Sequence, residues 1–332
     1  MNEQKIRTCI IGLGRIASLL EEDSLREKPC THAGAITANT DCVLAGGCDT
    51  DEERRRLFNN RWNVPVYADA AEMFRTEKPQ LLVIATHPDS HYDYCRLAAD
   101  SGVQVVICEK PLADTLGKAK KIAALGKSII IITNHERRYS TDYIKAKEIL
   151  SEEKLGTLLS VRAVLYMGKS KRMLDVLWHD GTHLADTAMF LTGSFLKHRK
   201  SIGSKLTQTS GTSWLLGTLK GKNIFKRHIP FIMEIGAGRD HLVFEIEFSC
   251  SMGRLRIGNG IFEVWESGAS PYAEKFRSLK KTEDHFEGPT GYFVNMITDA
   301  VSCVREKNRK PASQAADGLR VIEYLNSIKA WR

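Results

Sequence analysis

Ile10-Ile11-Gly12-Leu13-Gly14-Arg15-Ile16-Ala17 is the stretch on which the reading of this chain turns. A short apolar run, Thr8–Ile11, leads into G-x-G-x-x-A, the pattern of a buried strand that turns tightly into a helix. Gly12 permits the turn, Gly14 lets the main chain approach a pyrophosphate, and Ala17 lets the helix pack closely on the strand. Arg15 and Ile16 then stand at the helix head, where free amides and the helix dipole favour an anion. Glycine-rich strand exits also occur as plain turns, so the surrounding sequence has to decide.

That sequence alternates in character. Apolar runs at Val43–Ala45, Leu81–Ala85, Val103–Cys108 and Ile129–Thr133 suit strands buried on both faces. Between them, Asp51–Asn60, Ala70–Thr76, His91–Ser101 and Thr115–Leu125 mix polar and apolar residues as surface helices do. The alternation predicts right-handed βαβ crossovers and a doubly wound parallel sheet over residues 1–134. The first crossover is long, because the polar stretch Ser18–Cys30 precedes the helical segment Thr31–Thr40. It reads as a surface loop beside the ligand edge.

Beyond Asn134 the pattern changes. A helix at Thr141–Leu150, a strand at Leu158–Tyr166 and a helix near Thr182–Leu191 are followed by five strand candidates between Ser213 and Glu266. Two amphipathic helices, near Tyr292–Arg305 and Ala312–Ile328, close the chain. Grouped strands followed by helices predict an α+β domain with a largely antiparallel sheet over residues 135–332.

The second apolar run ends in Gly46-Gly47-Cys48-Asp49, where a dinucleotide-binding fold places the acid that holds the adenosine ribose hydroxyls. Its distance from Gly12 exceeds the usual ~20 residues by about the length of the inserted loop. A carboxylate there repels a 2′-phosphate, so NAD is expected in preference to NADP, with Arg54 pulling the other way. Asp49 also suits the N-cap of the following helix, a role compatible with ribose binding.

Composition narrows the field. With 42% apolar and 27% charged residues, the chain has enough apolar surface to fold. No stretch approaches the ~20 apolar residues of a membrane span. The opening residues lack a secretory signal, which points to the cytoplasm. The eight cysteines form no C-x-x-C pair and lie in apolar runs, so buried thiols are expected rather than disulfides or zinc. The net charge of +8 suits an anionic ligand, but the basic residues are scattered without interleaved aromatics, so nucleic acid is not expected.

Two further strand ends carry polar residues: Ala85-Thr86-His87-Pro88-Asp89-Ser90-His91 and Cys108-Glu109-Lys110-Pro111-Leu112-Ala113. With G-x-G-R-I and the Asp closing the second strand, A-T-x-P-x-x-H and C-E-K-P-L-A resemble the glucose–fructose oxidoreductase / inositol dehydrogenase (Gfo/Idh/MocA) family. Asn134-His135-Glu136-Arg137-Arg138 and the Gly-x-His-x-x-Asp segment at 181–186 extend the likeness over nearly the whole chain. The resemblance implies a Rossmann domain followed by a domain whose open sheet commonly forms a homodimer or homotetramer. It also implies NAD(P)-dependent oxidation or reduction of sugars, sugar acids, nucleotide sugars or cyclic polyols.

Hydride transfer from an alcohol needs a base for the hydroxyl proton and a group that steadies the alkoxide. Lys110 suits this, with Pro111 fixing its turn, and the resemblance implies that it meets both cofactor and substrate. The resemblance further implies D-x-G-x-H-x-x-D as a substrate motif. Here it is His179-Asp180-Gly181-Thr182-His183-Leu184-Ala185-Asp186, with histidine at the first acid position and Asp180 one residue late. His183 is expected as proton relay and joins Lys110 and Asp180 in the catalytic set, and His179, Asp180 and His183 are expected as substrate ligands, with Asp180 otherwise capping the next helix. The i, i+4 spacing of His179 and His183 suits a metal, but no third ligand is evident and none is expected. Thr86, His87, His91 and Glu109 are assigned to the cofactor pocket. Arg138, with Arg137, is assigned to an anionic substrate group or else to a salt bridge between domains. The altered acid at 179 keeps open an alternative, a dinucleotide-binding sensor or scaffold without turnover.

Overall fold

The computed structural model describes residues 4–168, 171–221, 228–306 and 308–328. The chain divides into two compact units, Met1–Ser140 with Pro289–Ile322, and Thr141–Gly288 with Glu323–Arg332.

The first unit is a six-stranded sheet in which every neighbouring pair is parallel. Its strands are β1 (Ile6–Ile11), β2 (Cys42–Cys48), β3 (Val66–Tyr67), β4 (Leu81–Ile84), β5 (Val105–Cys108) and β6 (Ile130–Thr133), in the order 3-2-1-4-5-6. The helices are α1 (His32–Ala38), α2 (Glu52–Trp62), α3 (Ala70–Glu77), α4 (His91–Asp100) and α5 (Leu116–Leu125). Leu81–Ile84 and Val105–Cys108 are buried at every position, as strands covered on both faces must be. Asp51, Asp69 and Thr115 cap α2, α3 and α5 through their side chains. This gives the N-cap of α2 to Asp51 and not to Asp49, because β2 ends two residues before the helix turns.

Two departures from the sequence pattern concern this unit's helices. The segment after Gly14 is no continuous helix: residues 15–18 form a single turn, Leu19–Glu22 a 3-10 turn, and α1 starts only at His32. The closing helix α9 (Tyr292–Arg305) belongs to the first unit, not to a domain running from 135 to the end. The reason is its apolar stripe: Phe293, Met296, Ile297, Ala300 and Val301 join Leu81, Val83, Val105 and Ile107 in one core.

The second unit is an eight-stranded sheet: β7 (Leu158–Tyr166), β8 (Ser194–Gly203), β9 (Gly211–Gly221), β10 (His228–Ala237), β11 (Val243–Cys250), β12 (Gly253–Gly258), β13 (Ile261–Ala269) and β14 (Arg277–Glu283). Their order is 14-13-12-11-7-10-9-8, antiparallel except for the pair β7–β10. The strands alternate: β11 reads half-buried, buried throughout. Helices α6 (Thr141–Ser151), α7 (Met173–His179) and α8 (Gly181–Thr192) complete the unit, and α10 (Ala315–Ser327) runs near the chain's end. Gly181 packs toward Leu165 and His183 toward Phe244, so α8 lies on the face that those strand residues share. The other face carries Leu159, Trp214 and Ile232 exposed to solvent. It also carries the ion pairs Arg162–Glu234, Arg256–Glu245 and Lys281–Glu263.

Candidate functional site

The order 3-2-1-4-5-6 reverses direction between β1 and β4, and ligands of open parallel sheets bind at the carboxyl ends flanking such a reversal. Gly12 is the first residue beyond β1. Its φ of +86° is left-handed, and a Cβ there would stand 2.7 Å from the Ala85 carbonyl and 2.8 Å from the Thr86 amide nitrogen. The exits of β1 and β4 therefore touch through main chain alone. At Gly14 the space is open: a Cβ would meet only the Arg54 guanidinium, at 3.9 Å. A bare main chain facing open space beside a cation fits a pyrophosphate.

Asp49, just past β2, is 8% exposed and turned into this loop. Its Oδ2 accepts from the Leu13 amide at 2.8 Å and its Oδ1 from the Asp51 amide at 2.9 Å. Arg54 Nη1 stands 3.6 Å from Oδ2. The carboxylate is thus fixed against the glycine loop, with lone pairs to spare for hydroxyl donors.

The exits of β4 and β5 are tied together by His91. Its Nε2 lies 3.1 Å from the Thr86 carbonyl and its Nδ1 3.2 Å from the Leu112 carbonyl. Burial pushes its pKa below that of an ordinary histidine, against the pull of those carbonyls. His91 is fully buried, so it braces the two loops from behind rather than lining a pocket as the sequence pattern suggested. Thr86 Oγ1 bonds Ser90 Oγ at 2.7 Å, and His87 is exposed.

Glu109 follows β5 and is also buried. Oε1 receives His32 Nε2 at 2.8 Å and Asn134 Nδ2 at 2.5 Å, and Oε2 receives the Lys110 amide at 3.1 Å. Burial pushes this carboxyl up, but the His32 hydrogen bond and charge, with Lys110 and Asn134, bring it below the ordinary glutamate range. Lys110 is half-buried and precedes Pro111 through a cis peptide. Close by, burial pushes the Glu136 carboxyl above its ordinary range, opposed by Arg137 and Lys110.

Arg138 Nη1 donates to the Ala312 carbonyl at 3.0 Å and pairs with Asp317 at 3.1 Å within the first unit. These two partners supply the salt-bridge alternative, here within one unit.

In the second unit, His179 ends α7 and is largely exposed. Its Nδ1 lies 3.0 Å from Asp180 Oδ1. Asp180 occupies the N-cap position of α8 without a side-chain capping bond, so it is not the cap its position suggested. His183, one turn on, is buried with its ring edge toward Phe244, centroids 6.4 Å apart. His179 and His183 thus lie on different helices. Among the described residues no group of three or more His, Cys, Asp or Glu side chains is placed to hold a metal ion. The eight cysteines are buried free thiols, and no described helix is long and apolar enough to cross a membrane.

Sequence reasoning missed His32 and Asn134. Both are short-range unremarkable, and only the meeting of three chain segments at Glu109 exposes their use.

Residues 6–129 match the Gfo/Idh/MocA oxidoreductase family, described as an NAD-binding Rossmann fold. Over 166 residues the chain is 28% identical to an inositol 2-dehydrogenase/D-chiro-inositol 3-dehydrogenase of Shouchella clausii, covering 48% of this chain and 44% of that protein. It spans between about a third and about half of the length of the first curated relatives it matches. The fold resembles an oxidoreductase of Desulfitobacterium hafniense described as NADPH-dependent, with a TM-score of 0.78, 18% identity and coverage of 99% of this chain and 96% of that one. It also resembles an Agrobacterium radiobacter oxidoreductase solved with NAD+, L-tartaric acid and magnesium, with a TM-score of 0.72, 17% identity and coverage of 99% and 98%. At such identities the likeness establishes the fold across both units.

Proposed function

We propose that this chain, whose residues 6–129 carry the NAD-binding Rossmann fold of the Gfo/Idh/MocA oxidoreductases, is an NAD-dependent dehydrogenase. Its reaction moves a hydride between nicotinamide and a hydroxyl-bearing carbon of a sugar, sugar acid, nucleotide sugar or cyclic polyol. The observation that carries this reading is the meeting of the β1 and β4 exits at Gly12, flanked by Asp49 on one side and Glu109-Lys110 on the other. The matched inositol dehydrogenase supports the substrate class.

The dinucleotide supplies the hydride acceptor. Gly12, Gly14 and the amides from Leu13 to Ile16 hold its pyrophosphate, with Arg54 adding positive charge. Asp49 accepts from the adenosine ribose hydroxyls, and its charge opposes a 2′-phosphate. The similar folds include one described with each cofactor, so the choice of NAD rests on Asp49. Glu109 and Thr86 serve the nicotinamide end. Lys110 meets the substrate hydroxyl, and His183 relays the proton, with His179 and Asp180 as substrate ligands. The solvent-facing side of the second sheet, with Trp214, Ile232 and Leu159 exposed, suits a homo-oligomeric contact.

The test is a titration of NADH and NADPH separately into the purified protein, followed by nicotinamide fluorescence, with Asp49→Ala alongside. Tighter NADH binding that weakens in the variant is expected. Failure of both cofactors to bind would remove the dehydrogenase reading. Addition of mixed sugars and keto-sugars to the loaded protein then separates turnover from a sensor, which would leave the cofactor's redox state unchanged.

A further inference from the structure

The inserted segment interrupts a helix and then hands it back. Ser18 N donates to the Gly14 carbonyl at 3.1 Å, as when a helix begins, but Leu20 N already reaches back five residues, to the Arg15 carbonyl at 2.9 Å. The chain then leaves. On its return, His32 N donates to the Ile16 carbonyl at 3.2 Å and Ala33 N to Ala17 at 2.9 Å. In an unbroken helix residues 20 and 21 would serve those two carbonyls, so His32 takes the place of residue 20. The re-entry is pinned by Glu21, whose Oε2 accepts from Cys30 N at 3.2 Å and from Thr31 Oγ1 at 2.6 Å.

The first residue of the resumed helix is wholly buried. His32 packs edge-on against Phe293, centroids 5.0 Å apart, and its Nε2 meets Glu109 Oε1 at 2.8 Å. Its Nδ1 has no hydrogen-bond partner among the described residues, so Glu109 is the ring's polar anchor. Glu109 in turn receives Asn134 from beyond β6 and the amide of Lys110. The other ionisable groups that act on Glu109 or are acted on by it are Lys110, His91, Glu136 and Cys108.

We propose that His32 is a positioning residue, which by donating Nε2–H to Glu109 fixes that carboxylate at the strand exit beside Lys110. The segment 18–31 is the device that delivers it there. This inference rests on the reading of Glu109 as part of the dinucleotide site. Three donors converge on a carboxylate that water barely reaches. Loss of one favours the neutral acid, which offers fewer lone pairs to a bound dinucleotide and holds the Lys110 amide less firmly. A histidine kept only for packing would show no such link to protonation.

The experiment measures NAD+ affinity by calorimetry at about pH 5.5 and about pH 8, either side of neutrality and above an ordinary glutamate's range. It compares the wild type with His32→Phe, His32→Gln and Glu109→Gln. Phenylalanine keeps the ring against Phe293 and removes the donor, and glutamine returns an N–H at a similar reach. Wild type is expected to bind alike at both pH values. His32→Phe should bind about tenfold more weakly at the lower pH than at the higher, the size of a lost hydrogen bond to a buried charge. His32→Gln should restore the flat profile, and Glu109→Gln should bind weakly at both. A wild-type profile in His32→Phe, or a loss that is equal at both pH values and unrelieved by glutamine, would overturn the proposal.

A second readout does not depend on a variant at His32 folding. In 15N spectra of the wild type, the His32 imidazole should show a proton on Nε2, shifted downfield by the carboxylate and moved in Glu109→Gln. Its absence overturns the contact. If the protein binds no NAD+ at all, the functional reading fails while this spectrum still decides the contact.

Discussion

Glu109 and Asp180 are both acids within three residues of one assigned to proton chemistry, Lys110 and His183, yet the protein treats them differently. At the exit of β5, Glu109 accepts from His32, Asn134 and the Lys110 amide and is almost closed to water. Between α7 and α8, Asp180 Oδ1 faces His179, a side chain that is largely exposed. The first arrangement fixes a charge before any ligand arrives. The second leaves the outer member, His179, largely exposed, while His183 is buried. Preorganised groups lose the most when altered, because nothing else takes up their place.

That contrast is most exposed to disproof at Lys110 and His183. Lys110→Ala should lower turnover by about a thousandfold while NADH affinity, read by fluorescence, stays within about threefold, and His183→Asn should cost about a hundredfold. Equal, small losses at both would dissolve the distinction between the two clusters. Next comes the scaffold: Gly12→Ala forces a side chain into main chain at 2.7 Å in a left-handed conformation, and should destabilise by about 3 kcal/mol in denaturant melts. A smaller effect is expected at Asp49→Asn, which keeps the Leu13 hydrogen bond but removes the charge. NADH should bind within about tenfold of wild type, with preference over NADPH much reduced.

The mildest test is acidity. His91 titrates lower folded than unfolded, so the unfolded chain takes up protons first and stability falls as pH drops through the ordinary histidine range. Glu109 is likewise lowered, and its contribution is present above the ordinary glutamate pKa and lost as pH falls below it. Thermal melts should therefore decline on acidification, first through histidine and then through carboxylates. His91→Gln should lessen the earlier decline, to which His198, also lowered by burial, contributes, and an unchanged melt profile in that variant would contradict the bracing role.

Much of this was legible in one dimension. The runs at Leu81–Ala85 and Val103–Cys108 declared buried parallel strands because a strand covered on both faces has no polar side to show. Glycines 12 and 14 and Asp49 marked the proposed ligand edge because each residue type answers a local demand of backbone or charge. Other features were hidden. The strand β14, Arg277–Glu283, is too polar to announce itself, as it lies at the sheet's edge with little to bury. Arg138 offered a fork for an anion, and nothing nearby in sequence announced its pairing with Asp317.

Local sequence, then, determined most of the elements and the parallel or antiparallel character of each sheet, since periodicity and turn chemistry act over a few neighbours, but not β3, α7, β8 or β14. Only the tertiary structure decided that α9 joins the first core and that a helix broken at residue 18 resumes at His32. It alone decided that His32 and Asn134 meet Glu109. Those outcomes depend on which distant surfaces exclude water together, and on which buried polar atoms must then find partners, conditions that no short stretch of chain contains.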